Sequence, residues 1–155
     1  MKKKFKIIII FVLVVFVGLL AGKILFPKPV VNSTPTPTIN ITYNNLASVY
    51  SKGGMVNSVP KDSVIMLHFY NFNTGKRVIE KSFVIKKGNV KEGNESSDVT
   101  IYIHSKYLKS MTNKNLCAII KKADKNGDLG MDTSLSKTAL AWKFKGMFKY
   151  RECLS

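Results

Sequence analysis

Residues 63–86, SVIMLHFYNFNTGKRVIEKSFVIK, decide how this chain folds. The first ten form a continuous run rich in β-formers, and Asn73, Thr74 and Gly75 end it. Gly75 accepts a positive φ, so the chain can turn there and start a second run at once. In that run Ile79, Phe83 and Ile85 alternate with Glu80, Ser82 and Lys86. The pattern predicts a hairpin with one buried face. Lys87, Gly88 and Asn89 supply a further turn. Over 98–104, Val99, Ile101 and Ile103 then point one way and Thr100, Tyr102 and His104 the other, as in a half-buried strand.

Beyond residue 104 the period changes. Ser105 can cap a short helix over 106–111, and Thr112 or Asn113 a second that runs to Asp124. In it Leu116, Ile119, Ile120 and Ala123 make one apolar stripe, and Asn126-Gly127 is a helix stop. Two templates compete over 139–150. Leu140, Phe144, Met147 and Phe148 fit a helix; Trp142, Phe144, Phe148 and Tyr150 alternating with Lys143, Lys145 and Lys149 fit a strand. Ala139, Leu140 and Ala141 favour the helix. The expected fold class is α+β: an N-terminal transmembrane helix, then a small antiparallel β-sheet with two or three helices packed on one face.

The chain has 155 residues, 25 Lys and Arg against 9 Asp and Glu, and a net charge of +16. With 45% hydrophobic and 22% charged residues it is not disordered throughout. Lys2, Lys3, Lys4 and Lys6 precede sixteen residues, 7–22, without a polar side chain. With 23–26 added, the run spans about 30 Å as a helix, enough for a bilayer core. Signal cleavage after Ala21 or Gly22 would leave Leu19 or Leu20 where a small residue is wanted. Lysines gathered before the span place the N-terminus in the cytoplasm and the body outside. Four of the five prolines fall within 27–37, so an extended tether is expected next, and 40–59 reads either way, with Leu46 to Tyr50 a possible short helix before Gly53-Gly54. The expected organisation is 1–26, basic N-terminus and transmembrane anchor; 27–60, Pro/Thr/Asn-rich linker; 61–155, a small basic α+β domain.

Few residues suit chemistry. Asp124, Asn126, Asp128 and Asp132 occupy positions 1, 3, 5 and 9 of a calcium loop, but Leu129 and Leu135 stand where its glycine and bidentate glutamate belong. A polar interhelical loop is the plainer reading, and no metal or cofactor is expected. Cys117 and Cys153 lie thirty-six residues apart. They are a disulfide candidate that would staple the last segment to the middle helix; two independent thiols are the alternative. His68 or His104, then Cys117, then Arg151 follow the order used by sortases. That family's Thr-Leu-x-Thr-Cys strand end is missing, and Cys117 falls on the apolar-flanked side of a helix. Lys121, Lys122, Lys125, Lys143, Lys145, Lys149 and Arg151 make a basic surface for a membrane or an anionic partner, or a merely solvated face. No recognition motif for specific nucleic acid accompanies the charge.

Residues 69–130 carry a family resemblance. Phe83-Val84-Ile85 leading to Gly88, Val90 to Gly93, Asp98-Val99-Thr100-Ile101, Tyr107-Leu108, Leu116 to Ile120 and Gly127-Asp128-Leu129 follow one another in an order that resembles the sterol-carrier-protein lipid-binding domain. The long first helix of that family is missing. The resemblance implies an α+β fold with an apolar tunnel for a lipid and no catalysis. The expectation adopted from the sequence is a single-pass, membrane-anchored protein presenting a non-enzymatic interaction module outside the cytoplasmic membrane. Its partner would be the membrane, an anionic lipid or envelope polymer, or another protein. A lipid carrier or sensor of sterol-carrier-like fold is the alternative, and a cysteine-dependent surface enzyme the second alternative.

Overall fold

A computed structural model describes residues 37–153. The expected span over 7–26 and most of the proline-rich stretch lie outside the described residues. Among the described residues no helix is long and apolar enough to cross a membrane. That finding corrects the expected localisation, a single-pass cell-membrane protein with an extracytoplasmic domain.

The described residues, 37–153, form one compact unit. It therefore starts well before residue 61. Ile41 pairs its amide with the Met111 carbonyl at 2.9 Å, and Asn40 bridges to Thr112. Two short helices follow, α1 (Tyr43–Tyr50) and α2 (Gly54–Asn57). The Asn45 side chain starts α1 by accepting the Thr42 amide at 2.8 Å and donating to the Asn40 carbonyl. Leu46 and Val56 are buried. These twenty residues, expected as linker, pack into the body because their few apolar side chains all turn the same way.

The sheet comprises β1 (Ile65–Asn71), β2 (Val78–Lys86), β3 (Asn89–Glu92), β4 (Val99–His104) and β5 (Leu129–Thr133), in the order β3-β2-β1-β4-β5. β1 and β2 form the expected hairpin, with Gly75 at φ 75° in its turn. The pairing of β1 with β4 is parallel, so the sheet is mixed rather than antiparallel. The reason lies in β3, which is only four residues long. Residues 93–98 carry the chain from β3 back to the start of β1, where the Asp98 amide meets the Val64 carbonyl at 2.9 Å. β4 must then run in the direction of β1. Glu95 on the way pairs with Lys86 and Lys91, so the crossing passes over the face away from the helices.

A 3-10 helix (Ser105–Ser110) leads to α3 (Leu116–Lys125), whose expected stripe buries Ile119 and Ala123. Gly127 at φ 70° ends it: its amide bonds the Asp124 carbonyl at 2.9 Å and the Asp128 amide the Ala123 carbonyl at 2.8 Å. The last segment is helical, as α4 (Lys137–Lys143) and a 3-10 helix (Lys145–Cys153). Ser136 caps α4 by accepting the Ala139 amide. All the described helices lie on one face of the sheet. Leu46, Val56, Ile119 and Ala123 pack with Phe69, Phe83, Val90 and Ile103, while Phe144 packs with Val59, Ile65 and Val99.

Candidate functional site

Strand register sorts the side chains. Ile65, Leu67 and Phe69 of β1 stand level with Ile85 and Phe83 of β2, with Val99, Ile101 and Ile103 of β4, and through them with Val90, Met131 and Leu129. The centre of this face is apolar, with Lys81 opposite Phe69, Glu92 opposite Phe83 and Thr133 opposite Val99 at its margins, and the helices that cover the centre do not fill it. A cavity of about 170 Å³ remains between the five strands and the covering segments. Leu46, Tyr50, Met55, Val56 and Val59 close it from the N-terminal side, Met111, Leu116 and Ile120 from the middle, and Met147 from the C-terminal segment. The wall is apolar throughout.

The polar groups near this wall are satisfied elsewhere. Tyr50 turns its hydroxyl to the Thr112 carbonyl at 3.1 Å, and burial pushes that hydroxyl's pKa up, so it stays neutral and offers only its ring. Tyr107 donates to Asp128 Oδ2 at 2.7 Å. The hydrogen bond from Lys106 holds the Asp128 carboxyl below the usual carboxylate range, against the effect of desolvation. Four methionines, Met55, Met111, Met131 and Met147, line the void. They are flexible thioethers able to re-pack around an occupant. Met131 is 56% exposed on the edge strand β5, so the wall there is one side chain thick.

This geometry overturns the reading of the body as a filled interaction module. A module that works only through its surface has no need of a void under the helices, and the alternative, lipid binding, asks for one.

Three solved sterol carrier protein domains are similar to this chain. The sterol carrier protein domain 2 of Helicoverpa armigera is 19% identical, with a TM-score of 0.41, covering 72% of this chain and 84% of its own. The ubiquinone synthesis protein UbiJ-SCP2 is 8% identical with a TM-score of 0.39, covering 73% and 95%. The apo form of sterol carrier protein 2 from Yarrowia lipolytica is 14% identical with a TM-score of 0.39, covering 65% and 98%. No family model and no curated protein matches. The family named for these structures is the one that residues 69–130 resemble in the order of their features.

The other residues singled out in the sequence fall apart spatially. Cys117 and Cys153 are joined in a disulfide, which leaves no free thiol. The cysteine-enzyme alternative loses its nucleophile. His68 Nδ1 is hydrogen-bonded to Ser82 at 2.7 Å, and His104 accepts the Lys106 amide. The calcium-loop residues are not gathered either. Asp128 is bonded to Tyr107 and Lys106, and Asp132 lies in β5 opposite Thr100. Among the described residues no group of three or more His, Cys, Asp or Glu is placed to hold a metal ion. Lys121, Lys122 and Lys125 are exposed on α3. Lys143 pairs with Asp98 at 2.8 Å, Lys145 lies over the Trp142 ring, and Lys149 and Arg151 are exposed. No sequence pattern marks the lining methionines, although four of the chain's six methionines gather there. Spacing gives no warning of this, because the four come from four separate segments.

Proposed function

We propose that the protein binds a lipid by its hydrocarbon part, without catalysis, in the cavity between the sheet and the helices. The observation that carries this reading is the wall itself: nineteen residues from every described strand and most described helices line a partly open cavity of about 170 Å³ with no polar lining. A dry void of about 150 Å³ is large enough for a benzene-sized group, so this one accepts a short length of acyl or isoprenoid chain as it stands. A longer tail requires the methionine side chains to move, which their unbranched stems allow. A polar headgroup finds no partner inside and stays at the surface, beside Met131.

The test uses cis-parinaric acid, which fluoresces when it leaves water, and the full-length protein. Wild type is expected to enhance the emission saturably. Ile101→Phe fills part of the void from the middle of β4 and is expected to weaken binding about tenfold, the worth of one or two buried methylenes. Equal binding by the two proteins, or no enhancement by wild type, overturns the proposal. Thermal unfolding of the variant shows that the fold survives.

A further inference from the structure

Within residues 137–153, Trp142, Lys145, Phe148, Lys149 and Arg151 are exposed. In α4, Leu140 and, just beyond it, Phe144 pack inward against Val59, Ile65 and Val99. Trp142 consequently points away and is 75% exposed. The following 3-10 helix turns every three residues. Met147, Tyr150 and Cys153 face the body, where they reach the cavity, Ser58 and Cys117. Lys145, Phe148 and Arg151 form the outward row, with Phe148 53% exposed. Lys145 Nζ sits 4.6 Å from the centre of the Trp142 ring, which joins Trp142 to that row. Lys149 lies alongside, over the Tyr150 ring at 5.1 Å. Residues 137–153 hold five Lys and Arg and one acid, Glu152. The disulfide ties this segment to α3, whose Lys121, Lys122 and Lys125 add further positive charge.

A highly hydrated polyanion would satisfy the cations but leave the indole and the phenyl ring in water. A bilayer surface satisfies both, since aromatic rings settle at headgroup depth and cations meet anionic headgroups. We propose that the outward face of residues 142–151 docks on an anionic lipid surface, with Trp142 and Phe148 entering the headgroup layer and Lys145, Lys149 and Arg151 meeting lipid anions. Met147, next to Phe148 in the chain, faces the body and lines the cavity from the other side of the same turn. The inference goes beyond the proposed lipid cavity and stands whether or not that cavity is filled.

Trp142 is the chain's only tryptophan and reports its own surroundings. The full-length protein is mixed with phosphatidylcholine vesicles, with or without about one-third phosphatidylserine to supply the anionic surface. On the anionic vesicles Trp142 emission is expected to move to the blue and its quenching by acrylamide to fall several-fold; on neutral vesicles both stay unchanged. Lys145→Glu with Lys149→Glu is expected to abolish the shift, and Phe148→Ser to weaken it about tenfold in lipid concentration. If Trp142 stays open to acrylamide on the anionic vesicles, the proposal falls, even if the protein sediments with them through another segment. Binding of polyphosphate in competition with the vesicles, with no change at Trp142 on lipid, would assign the face to an acidic polymer and overturn it as well. Parinaric acid binding is read separately, so failure of the docking face leaves the cavity result intact.

Discussion

The two faces of the sheet are made from the same strands and are finished in opposite ways. On the helix side, Ile65, Leu67, Phe69, Ile101 and Ile103 leave a void that nothing polar enters. On the other side, Met66, His68 and Tyr70 stand level with Thr100, Tyr102 and His104. There residues 93–98 cross over one part, and side chains of the strands themselves cover the rest. His68 stacks on Tyr102 at 5.2 Å and Tyr70 on His104 at 5.3 Å, and the Arg77 guanidinium lies 4.6 Å from Tyr70 and 5.7 Å from Tyr102. Burial holds the His68 pKa down, so it stays neutral and stacks as an ordinary ring. Flat rings with polar edges close a surface without a second layer. Branched aliphatic chains need helices above them, and helices joined by short loops cannot reach every hollow. The void thus belongs to the covered face for a geometric reason.

The sharpest way to break this contrast is Phe69→Ala. Phe69 is fully buried on the covered face and lines the void, so truncation enlarges a space that already exists. Denaturant unfolding is expected to show a loss of about 3 to 5 kcal/mol. A loss under about 1 kcal/mol would mean that the helices collapse onto the gap and that the cavity is plastic.

Asp128 links the two faces, and removing its charge should cost less. Its carboxylate takes Tyr107 from the helix side, while its carbonyl accepts the Tyr70 hydroxyl from the other at 3.2 Å. Asp128→Asn keeps the backbone contact but weakens the Lys106 and Tyr107 bonds, an expected cost of about 1 to 2 kcal/mol. The folded carboxyl sits below its ordinary value, so its contribution is complete above the unfolded carboxylate range and is lost as pH falls through the folded pKa. Wild-type stability should therefore drop between about pH 5 and pH 2, and the variant's curve should be flatter there. Parallel curves would remove Asp128 from the acid response.

The smallest effect is expected on the self-covered face. Arg77→Ala removes a cation from two tyrosine rings and should cost about 0.5 to 1 kcal/mol. Chemical denaturation of the variant beside Phe69→Ala measures the difference between the faces directly. If Arg77→Ala proves as costly as Phe69→Ala, the rings do not close that face by themselves.

Some of this architecture is legible in residue order. The β1–β2 hairpin, the alternation of β4 and the stripe on α3 are local patterns, set by a period of two or of 3.6. The parallel pairing of β1 with β4 is not local. It follows from the brevity of β3 and the path of residues 93–98, which no periodicity records. The C-terminal segment shows a third case. Helix and strand templates both fit the residues there, but a three-residue turn is what places Lys145, Phe148 and Arg151 in one row. Over 40–60, scattered apolar residues read as linker, because Ile41, Leu46, Val56 and Val59 share a face only once the sheet supplies one.

By itself, the chain determined the β1–β2 hairpin, the strand β4, the stripe of α3, its basic excess and the turns at Gly75, Gly88 and Gly127, since each depends on neighbours within a few residues. The tertiary structure alone decided the mixed sheet, the joining of Cys117 to Cys153 and the cavity with its four methionines. Each of these depends on distances between segments far apart in the chain, and a void is defined by the atoms that fail to meet across it.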